Sequence, residues 1–251
     1  MSSEKADAVV IRQADFSESS RVVTFFSREF GKVAVLAKGA KRLKGPFDAA
    51  LDLLSECRIV FLKKNPGTLS ILTQAALIQK FIPSPGSLNS LHGGYYIADL
   101  LNSLSEDEDP DPVLYDLSIR SLNRLADEQD DPFHTIVQFE VGLLQCSGLF
   151  PNLNECSVCG HPIPTNTKYA HWVSQGSLLC GACRREEYNS KSISAGTVAV
   201  LQRWTSVDDQ LAAKIKVNSE QLQECHRLAV SAITNALGRK PGTLRYLNFR
   251  D

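Results

Sequence analysis

The 251-residue sequence predicts an α+β protein of several domains, with a small N-terminal barrel, an all-α domain and a metal-binding insert. Three observations favour this class. Short β-branched and aromatic runs crowd into the first third of the chain, apolar residues then recur at intervals of three and four, and two Cys-x-x-Cys pairs lie in a loop-rich stretch. The predicted boundaries are 1–80 for the barrel, 81–150 together with 193–251 for the helical domain, and 151–192 for the insert.

Strand-forming residues dominate the first 80 positions, and the turn Asn65-Pro66-Gly67 separates the last two runs. The predicted strands cover 7–14, 20–28, 32–38, 57–64 and 68–73. Five short strands in so short a segment are typical of the OB-fold, a barrel that commonly binds nucleic acid. We therefore expect a five-stranded OB-fold at the N-terminus.

Helical spacing begins after the barrel. The spacing predicts that Leu91, Tyr95 and Ala98 share one buried face, and the dipeptides Asp111-Pro112 and Asp131-Pro132 are each expected to place an N-cap before a first-turn proline. Further caps are expected at Ser194 and Ser219, with Gly238 ending the last helix. The acidic run 106–111 falls between two helices and is expected to be an exposed loop.

Four of the seven cysteines form two pairs, Cys156-x-x-Cys159 and Cys180-x-x-Cys183, separated by twenty residues. Two residues between thiolates let one tight turn direct both sulfurs at one point, and two such turns complete a tetrahedron. This spacing predicts one structural zinc per chain. Four reduced thiols without metal, or an iron–sulfur site, stay open as alternatives, while Cys57, Cys146 and Cys225 are expected in the core.

The net charge of −1 is strongly segregated, because residues 1–80 carry +5, residues 81–155 carry −11 and residues 156–251 carry +5. Residues 32–44 contain five cations and no acid. Cationic side chains in a loop at a barrel rim can follow phosphates, and Phe47 could add a stacking face. The nucleic-acid-binding candidates are Lys38, Lys41, Arg42 and Lys44, which Arg58, Lys63 and Lys64 could extend. A solvated loop that binds nothing is the alternative.

Several classes of protein are disfavoured by what the sequence lacks. It has no run of about 18 apolar residues that could span a membrane, and its N-terminus does not resemble a signal peptide. We find no GxSxG, Walker, HExxH or GxGxxG motif, and no histidine comes with an obvious nucleophile or carboxylate partner. A cytoplasmic binding protein, not an enzyme, is therefore expected.

Four segments resemble the bacterial RecO family of recombination mediators, in the order in which that family has them. They are AVVIRQADFSESSRVVTFFSREFGKVAVLAKGAKR, GGYYIADLLNSL, GLFPNLNECSVCG and TLRYLNF. The resemblance implies an OB-fold, a helical domain, a zinc-binding insert and a role in DNA repair and homologous recombination. It also implies binding of single- and double-stranded DNA, annealing of complementary strands and, with RecR, assistance to RecA on strands coated by the single-stranded-DNA-binding protein.

Carried onto this sequence, the family's DNA-contacting loop matches Lys38, Lys41 and Arg42, with Lys44 extending it. The acidic tail of the single-stranded-DNA-binding protein is expected on the helical domain. Arg120 and Arg124 are the only two basic residues in the acidic middle block, and they are the candidates for that contact. The resemblance further implies a cytoplasmic, nucleoid-associated location and no membrane partner.

Two other classes stay open. One is a zinc-containing RNA-binding or transcription-associated OB-fold protein, which would prefer RNA over DNA in direct competition. The other is an enzyme whose site has no recognisable motif, which a pocket with two coupled, pKa-shifted groups would indicate.

Overall fold

A computed structural model describes residues 2–42, 47–64, 68–163, 169–172, 177–185, 191–206 and 215–247. The chain forms two compact units: Met1–Pro132 with Gly242–Asp251, called here the barrel unit, and Phe133–Pro241, called the cysteine unit. The three-domain division stays a prediction, with boundaries that differ from those of these two units.

Five strands of the barrel unit close on themselves in the order β1-β2-β3-β5-β4, because β4 pairs back onto β1. They are β1 (Ser2–Asp15), β2 (Arg21–Ser27), β3 (Gly31–Ala37), β4 (Glu56–Lys63) and β5 (Ser70–Gln79). β3 and β5 run parallel, whereas the other neighbours are antiparallel. The predicted five-stranded OB-fold is confirmed.

Alternation along the strands fills the barrel with apolar side chains. On β3, Val33, Val35 and Ala37 are buried while Ala34 is exposed, and Cys57 on β4 is fully buried, as predicted. The register between β1 and β2 shifts between Val10 and Arg12, so that Ile11 is an extra residue without a partner on β2. This bulge changes which side chains β1 presents on the outer surface of the barrel.

Two helices follow the barrel within the same unit, α1 (Leu88–Leu104) and α2 (Pro112–Ala126). The side chain of Asp111 accepts a hydrogen bond from the backbone N–H of Leu114, 2.9 Å away, so α2 begins at the predicted cap. A short 3₁₀ turn near the end of the chain, Gly242–Tyr246, packs against α1.

The acidic segment between α1 and α2 is exposed, as predicted, but it also lies against the barrel. Glu108 donates its N–H to the carbonyl of Lys32 over 3.0 Å, and the Lys32 ammonium lies 3.3 Å from the Asp107 carboxylate. Gly31 has a φ of +62°, and a Cβ there would lie 1.9 Å from the carbonyl oxygen of Asp109. Only glycine therefore permits this close approach.

The cysteine unit contains α3 (Pro132–Cys146), α4 (Ala195–Ser206) and α5 (Ser219–Leu237) among its described residues. A three-stranded sheet of order β7-β6-β8 accompanies them, with β6 (Tyr169–Trp172), β7 (Ser177–Leu179) and β8 (Lys191–Ile193). Cys225 of α5 is fully buried in the core of this unit, as predicted.

Three helix ends in the cysteine unit test the predicted caps. Ser194 accepts a hydrogen bond from the N–H of Thr197, and Gly238 ends α5 with a φ of +66°, so both of these predictions are confirmed. The predicted cap at Ser219 is wrong by one residue. Asn218 caps α5 instead, because its side chain and that of Gln221 each accept the other's backbone N–H.

Candidate metal centre and nucleic-acid interface

The four paired cysteines meet at one point. Their sulfur atoms all lie within 4.8 Å of one another, and the sulfurs of Cys159 and Cys180 are 3.8 Å apart. Zinc–sulfur bonds of about 2.3 Å in a tetrahedron place neighbouring sulfurs about 3.8 Å apart. The cluster therefore has the ligand type, the number and the spacing to hold a metal ion.

Tight turns bring each pair together. Gly160 donates its N–H to the carbonyl of Cys156 over 2.9 Å and adopts a φ of +69°, while Cys183 donates to the carbonyl of Cys180 over 3.1 Å. The N–H of Cys156 is itself bound by the carbonyl of His161, also at 2.9 Å. These bonds hold the backbone so that both side chains of a pair face the same point.

The surroundings of Cys156 favour its thiolate form. Burial opposes ionisation, but hydrogen bonds from the backbone N–H groups of Cys180, Cys159 and Val158 outweigh it and lower the pKa of this thiol to about 6. In the metal-free cluster, hydrogen bonds to Cys159 and Cys180 raise the pKa of the Cys183 thiol to about 12. A metal cation supplies the positive charge that lets all four sulfurs ionise together.

The predicted DNA-contacting loop follows β3. Its turn closes with a 3.1 Å hydrogen bond from the N–H of Arg42 to the carbonyl of Gly39, which has a φ of +76°. Lys38 and Arg42 are exposed, and neither forms an ion pair with another residue that the structure describes. These two side chains are available to a phosphate, whereas Lys44 lies outside the described residues.

Lys41 has a different role in the same loop. Its ammonium lies 3.0 Å from the carboxylate of Asp15 and 3.3 Å from the carbonyl of Ser17, and its backbone N–H donates to the carbonyl of Ser19. Lys41, together with Arg21, holds the pKa of Asp15 below its usual value. Lys41 thus fastens the basic loop to the β1–β2 connection.

The prediction that Phe47 offers a stacking face is wrong. Phe47 is only 4% exposed and belongs to the apolar core of the barrel, with Ala50 and Leu51 of the 3₁₀ turn that follows it. Burial of an aromatic ring in an apolar core is favourable, because it removes apolar surface from water. The sequence alone shows the ring's position in a connection but not which way it faces.

Two other cations on the barrel, Arg58 and Lys63, are already paired with acids. Arg58 forms two hydrogen bonds with the carboxylate of Asp7, at 2.7 and 2.9 Å, and Lys63 lies 2.9 Å from Glu108 of the acidic segment. A phosphate at either position would have to displace a carboxylate, so the extension of the basic stripe to these residues is weaker than the sequence suggests.

Arg120 and Arg124 lie one turn apart on α2. Arg124 donates from Nε and Nη2 to Asp130, both at 3.3 Å, and Arg120 contributes to the lowered pKa of Asp116, whose main cause is Arg28. Arg28 reaches Asp116 from the end of β2 with hydrogen bonds of 3.1 and 2.9 Å. A peptide carboxylate at Arg124 would compete with Asp130, and the role of both arginines in partner binding stays a prediction.

No helix in the described ranges has the length and apolar character needed to cross a membrane.

The similarity of this chain to known proteins extends over nearly its whole length. A family model described as Recombination protein O N terminal matches residues 1–81, and one described as Recombination protein O C terminal matches residues 85–245. A DNA repair protein RecO of Rhodopirellula baltica is 35% identical over 200 residues, 79% of this chain and 74% of its own. Another, of Halalkalibacterium halodurans, is 32% identical over 216 residues, covering 86% and 83%. A third, of Anaeromyxobacter dehalogenans, is 28% identical over 244 residues, covering 97% and 95%.

Proposed function

The chain belongs to the RecO family and acts in DNA repair and recombination, and we propose that it does so as a mediator that anneals complementary strands. In this role it binds single- and double-stranded DNA and, with RecR, assists the loading of RecA on strands coated by the single-stranded-DNA-binding protein. It works in the cytoplasm, associated with the nucleoid, and it works by binding and not by catalysis.

The observation that carries this proposal is the pair Lys38 and Arg42, two exposed cations at the rim of an OB-fold barrel. Cations that meet phosphates release condensed counterions, and this release drives binding to any sequence. Lys41 supports the pair by holding the loop to the β1–β2 connection through Asp15. The DNA-binding surface is therefore Lys38 and Arg42, with Lys41 as its anchor and Lys44 as a further contact.

Annealing follows from the same charge neutralisation. Two complementary strands repel each other through their phosphates, and this repulsion slows their encounter. Cations at the rim of the barrel lower the charge of a bound strand, so that a second strand can approach. Because phosphates carry no sequence information, the protein can bring together any complementary pair.

The cysteine cluster supports this function structurally. Cys156, Cys159, Cys180 and Cys183 would hold one zinc ion per chain, and four thiolate ligands leave it no open coordination position. The zinc would therefore fix the two turns and the strands β6 and β7 around them. Arg120 and Arg124 would receive the acidic tail of the single-stranded-DNA-binding protein through charge-assisted hydrogen bonds.

The test compares two double variants of the full-length protein. Lys38→Ala with Arg42→Ala removes two cations that form no ion pair within the part of the loop that the structure describes. Arg58→Ala with Lys80→Ala removes two cations of the same unit that are paired with Asp7 and Asp52. Binding to single-stranded DNA is measured across salt concentrations, and annealing is measured on strands coated by the single-stranded-DNA-binding protein.

We expect the loop variant to flatten the dependence of log affinity on log salt by about 1.4, or 0.7 for each lost charge, and to slow annealing. The control variant should keep the wild-type slope. If the loop variant keeps both the wild-type slope and the wild-type annealing rate, the loop is merely solvated. Preference for RNA over DNA in direct competition would instead favour an RNA-binding protein.

A further inference from the structure

A cleft of about 470 Å³ lies entirely within the barrel unit, and its lining draws on three of the segments that resemble the RecO family, with Tyr95 and Tyr246 among its residues. Its floor and walls are formed by β1, α1 and the 3₁₀ turn Gly242–Tyr246. Two tyrosines line it, Tyr95 at 39% exposure and Tyr246 at 50% exposure. A cavity of this volume with aromatic walls is the usual size of a site for a small organic group.

The bulge in β1 supplies one side of the cleft. Because Ile11 is an extra residue in the strand, the outer surface of the barrel here carries both Ile11 and Arg12 in the cleft lining. Ile11 is buried and adds an apolar wall with Leu53, whereas Arg12 is exposed. The bulge thus places a cation beside an apolar wall, as bulges near binding sites often do.

The opposite side is fastened to α1. Asp99 accepts hydrogen bonds from the N–H and the hydroxyl of Thr243, at 3.1 and 2.8 Å, and His92 Nδ1 lies 2.9 Å from the carbonyl oxygen of Tyr246. These contacts use the backbone and Thr243, and the ring of Tyr246 adds a contact with the ring of His92, with 5.8 Å between their centres. Asp99 is the one carboxylate among the described lining residues, and Thr243 already occupies it.

Arginine and tyrosine lie together at the mouth. The guanidinium carbon of Arg245 is 4.8 Å from the centre of the Tyr246 ring, and its Nη2 donates to the Tyr246 hydroxyl over 2.7 Å. With Arg12 on β1, the cleft combines two cations, two aromatic rings and apolar walls. This combination suits a ligand with a flat apolar part and a negative charge attached to it.

We propose that the cleft receives an unstacked base of single-stranded DNA, which stacks against Tyr95 and Tyr246 while its flanking phosphates contact Arg12 and Arg245. This inference rests on the proposed DNA-binding function and adds to it a second contact of a different kind. The basic loop neutralises phosphates, whereas the cleft binds a base.

Continuity with the basic loop supports single-stranded DNA as the occupant. Lys41 of that loop contacts Asp15 at the end of β1, and Arg12 lies three residues earlier in the same strand. A strand rises about 3.3 Å per residue, so the two points are about 10 Å apart along β1, on opposite faces of the strand, and a flexible single strand passes from one to the other around the end of β1. One strand of DNA can therefore contact the loop and enter the cleft, and only an unpaired base has a free face to stack.

The test separates base stacking from phosphate binding. Affinity is measured for a thymidine strand of roughly 16 nucleotides and for a strand of equal length made of abasic sugar-phosphates. The protein is used full-length as the wild type, as Tyr95→Ala with Tyr246→Ala, and as Tyr95→Phe with Tyr246→Phe. The phenylalanine variant keeps both rings and controls for the loss of the hydroxyls.

We expect the wild type to bind the strand with bases at least about fivefold more tightly than the abasic strand. The alanine variant should lose this preference while keeping the wild-type salt slope, and the phenylalanine variant should keep both. An aminopurine base in the strand should change its fluorescence on binding to the wild type but not to the alanine variant. Circular dichroism melting checks that both variants fold.

Three outcomes overturn the inference. They are equal binding of the two strands by the wild type, an alanine variant with an intact preference, and an alanine variant that loses affinity for an acidic peptide but not for DNA. The last result would make the cleft a peptide site. Failure of the proposed function looks different, because the wild type would then bind neither strand with a salt-dependent affinity.

Discussion

The barrel unit and the cysteine unit are built from the same proportions of apolar residues but depend on different interactions. A cluster of apolar side chains fills the barrel, its buried polar side chains are uncharged serines, and a closed ring of strand pairs connects the backbone of its strands. The core of the cysteine unit includes the metal-ligand candidate Cys156, and the fully buried Glu140 of α3 faces His226 of α5 at 2.9 Å. The stability of the second unit should therefore respond to metal and, above about pH 6, to the titration of His226, whereas the barrel unit, with lowered pKa values at Asp15 and Asp116, should respond to pH only in acid.

Charged pairs show the same contrast. In the barrel unit they lie at the surface, as for Arg28 with Asp116 and Lys41 with Asp15. An exposed pair contributes about 1 kcal/mol or less to the free energy of unfolding, because water screens it. Loss of one partner from a buried pair costs about 3 kcal/mol or more, because an unpaired charge remains in the core. Burial of an ion pair, and not the distance between its charged atoms, therefore decides how much it contributes to the free energy of unfolding.

Metal removal is the largest expected difference between the two units. Zinc binding by four thiolates contributes on the order of 10 kcal/mol to the fold around it. Treatment with a chelator, or Cys180→Ser, should therefore abolish hydrogen-exchange protection in 153–163 and 177–183 while the barrel strands stay protected. Elemental analysis of the untreated protein should find one zinc per chain.

The matched control for this experiment is Cys146→Ser, because Cys146 ends α3 and is not among the four clustered cysteines. It should retain the full zinc content. Less than roughly a tenth of an equivalent of zinc, in protein never exposed to chelator, would contradict the metal assignment, since sites of this type bind tightly.

Local patterns predicted the parts of the molecule that local contacts determine. The strands of the OB-fold are indicated by alternating apolar residues such as Val33 and Val35, and each cysteine turn is indicated by its Cys-x-x-Cys spacing. The caps at Asp111 and Gly238 depend on residues within one helical turn. Such features are visible in a sequence because their determinants are close along the chain, whereas the parallel pairing of β3 with β5 joins distant segments.

Features that depend on distant partners were missed or misplaced. Phe47 turns into the barrel because a 3₁₀ turn closes over it, and Lys63 is paired with Glu108, which is 45 residues away. The cleft joins Tyr95 to Tyr246 across the whole helical part of the sequence. The local sequence does not show whether a cation faces a carboxylate or water, although this difference decides which cations can bind DNA.

The buried pair in the cysteine unit gives the second expected difference, an effect of pH. Burial of His226 lowers its pKa, but the charge and hydrogen bond of Glu140 outweigh this, so that the pKa is raised above its ordinary value of about 6.5. The pair of protonated His226 and Glu140 stabilises the cysteine unit fully below pH 6.5, where His226 also binds its proton in the unfolded state. This contribution is lost as pH rises through the raised pKa of His226.

Glu140→Gln should therefore destabilise the cysteine unit by about 3 kcal/mol near pH 5.5 and by clearly less near pH 9. Urea unfolding followed by a probe in each unit measures this, and the barrel unit should keep its wild-type midpoint. Glu220→Gln, an exposed acid in the first turn of α5, serves as the control and should change little. An equal loss at both pH values would show that Glu140 acts through packing alone.

The smallest effect on stability is expected for the two arginines of α2, which are also the proposed binding site for the acidic tail of the partner. Arg120→Ala with Arg124→Ala breaks the half-buried pair with Asp130, which water still reaches, and should lower the free energy of unfolding by about 1 kcal/mol. The same variant should bind an acidic peptide with an apolar C-terminal residue more weakly than the wild type, because it lacks two donors for the carboxylates. Titration calorimetry measures the peptide affinity, and Lys38→Ala with Arg42→Ala is the control that should leave it unchanged. Equal peptide affinity of the α2 variant and the wild type would show that these arginines only neutralise neighbouring acids, and the acidic tail would then bind elsewhere on the protein.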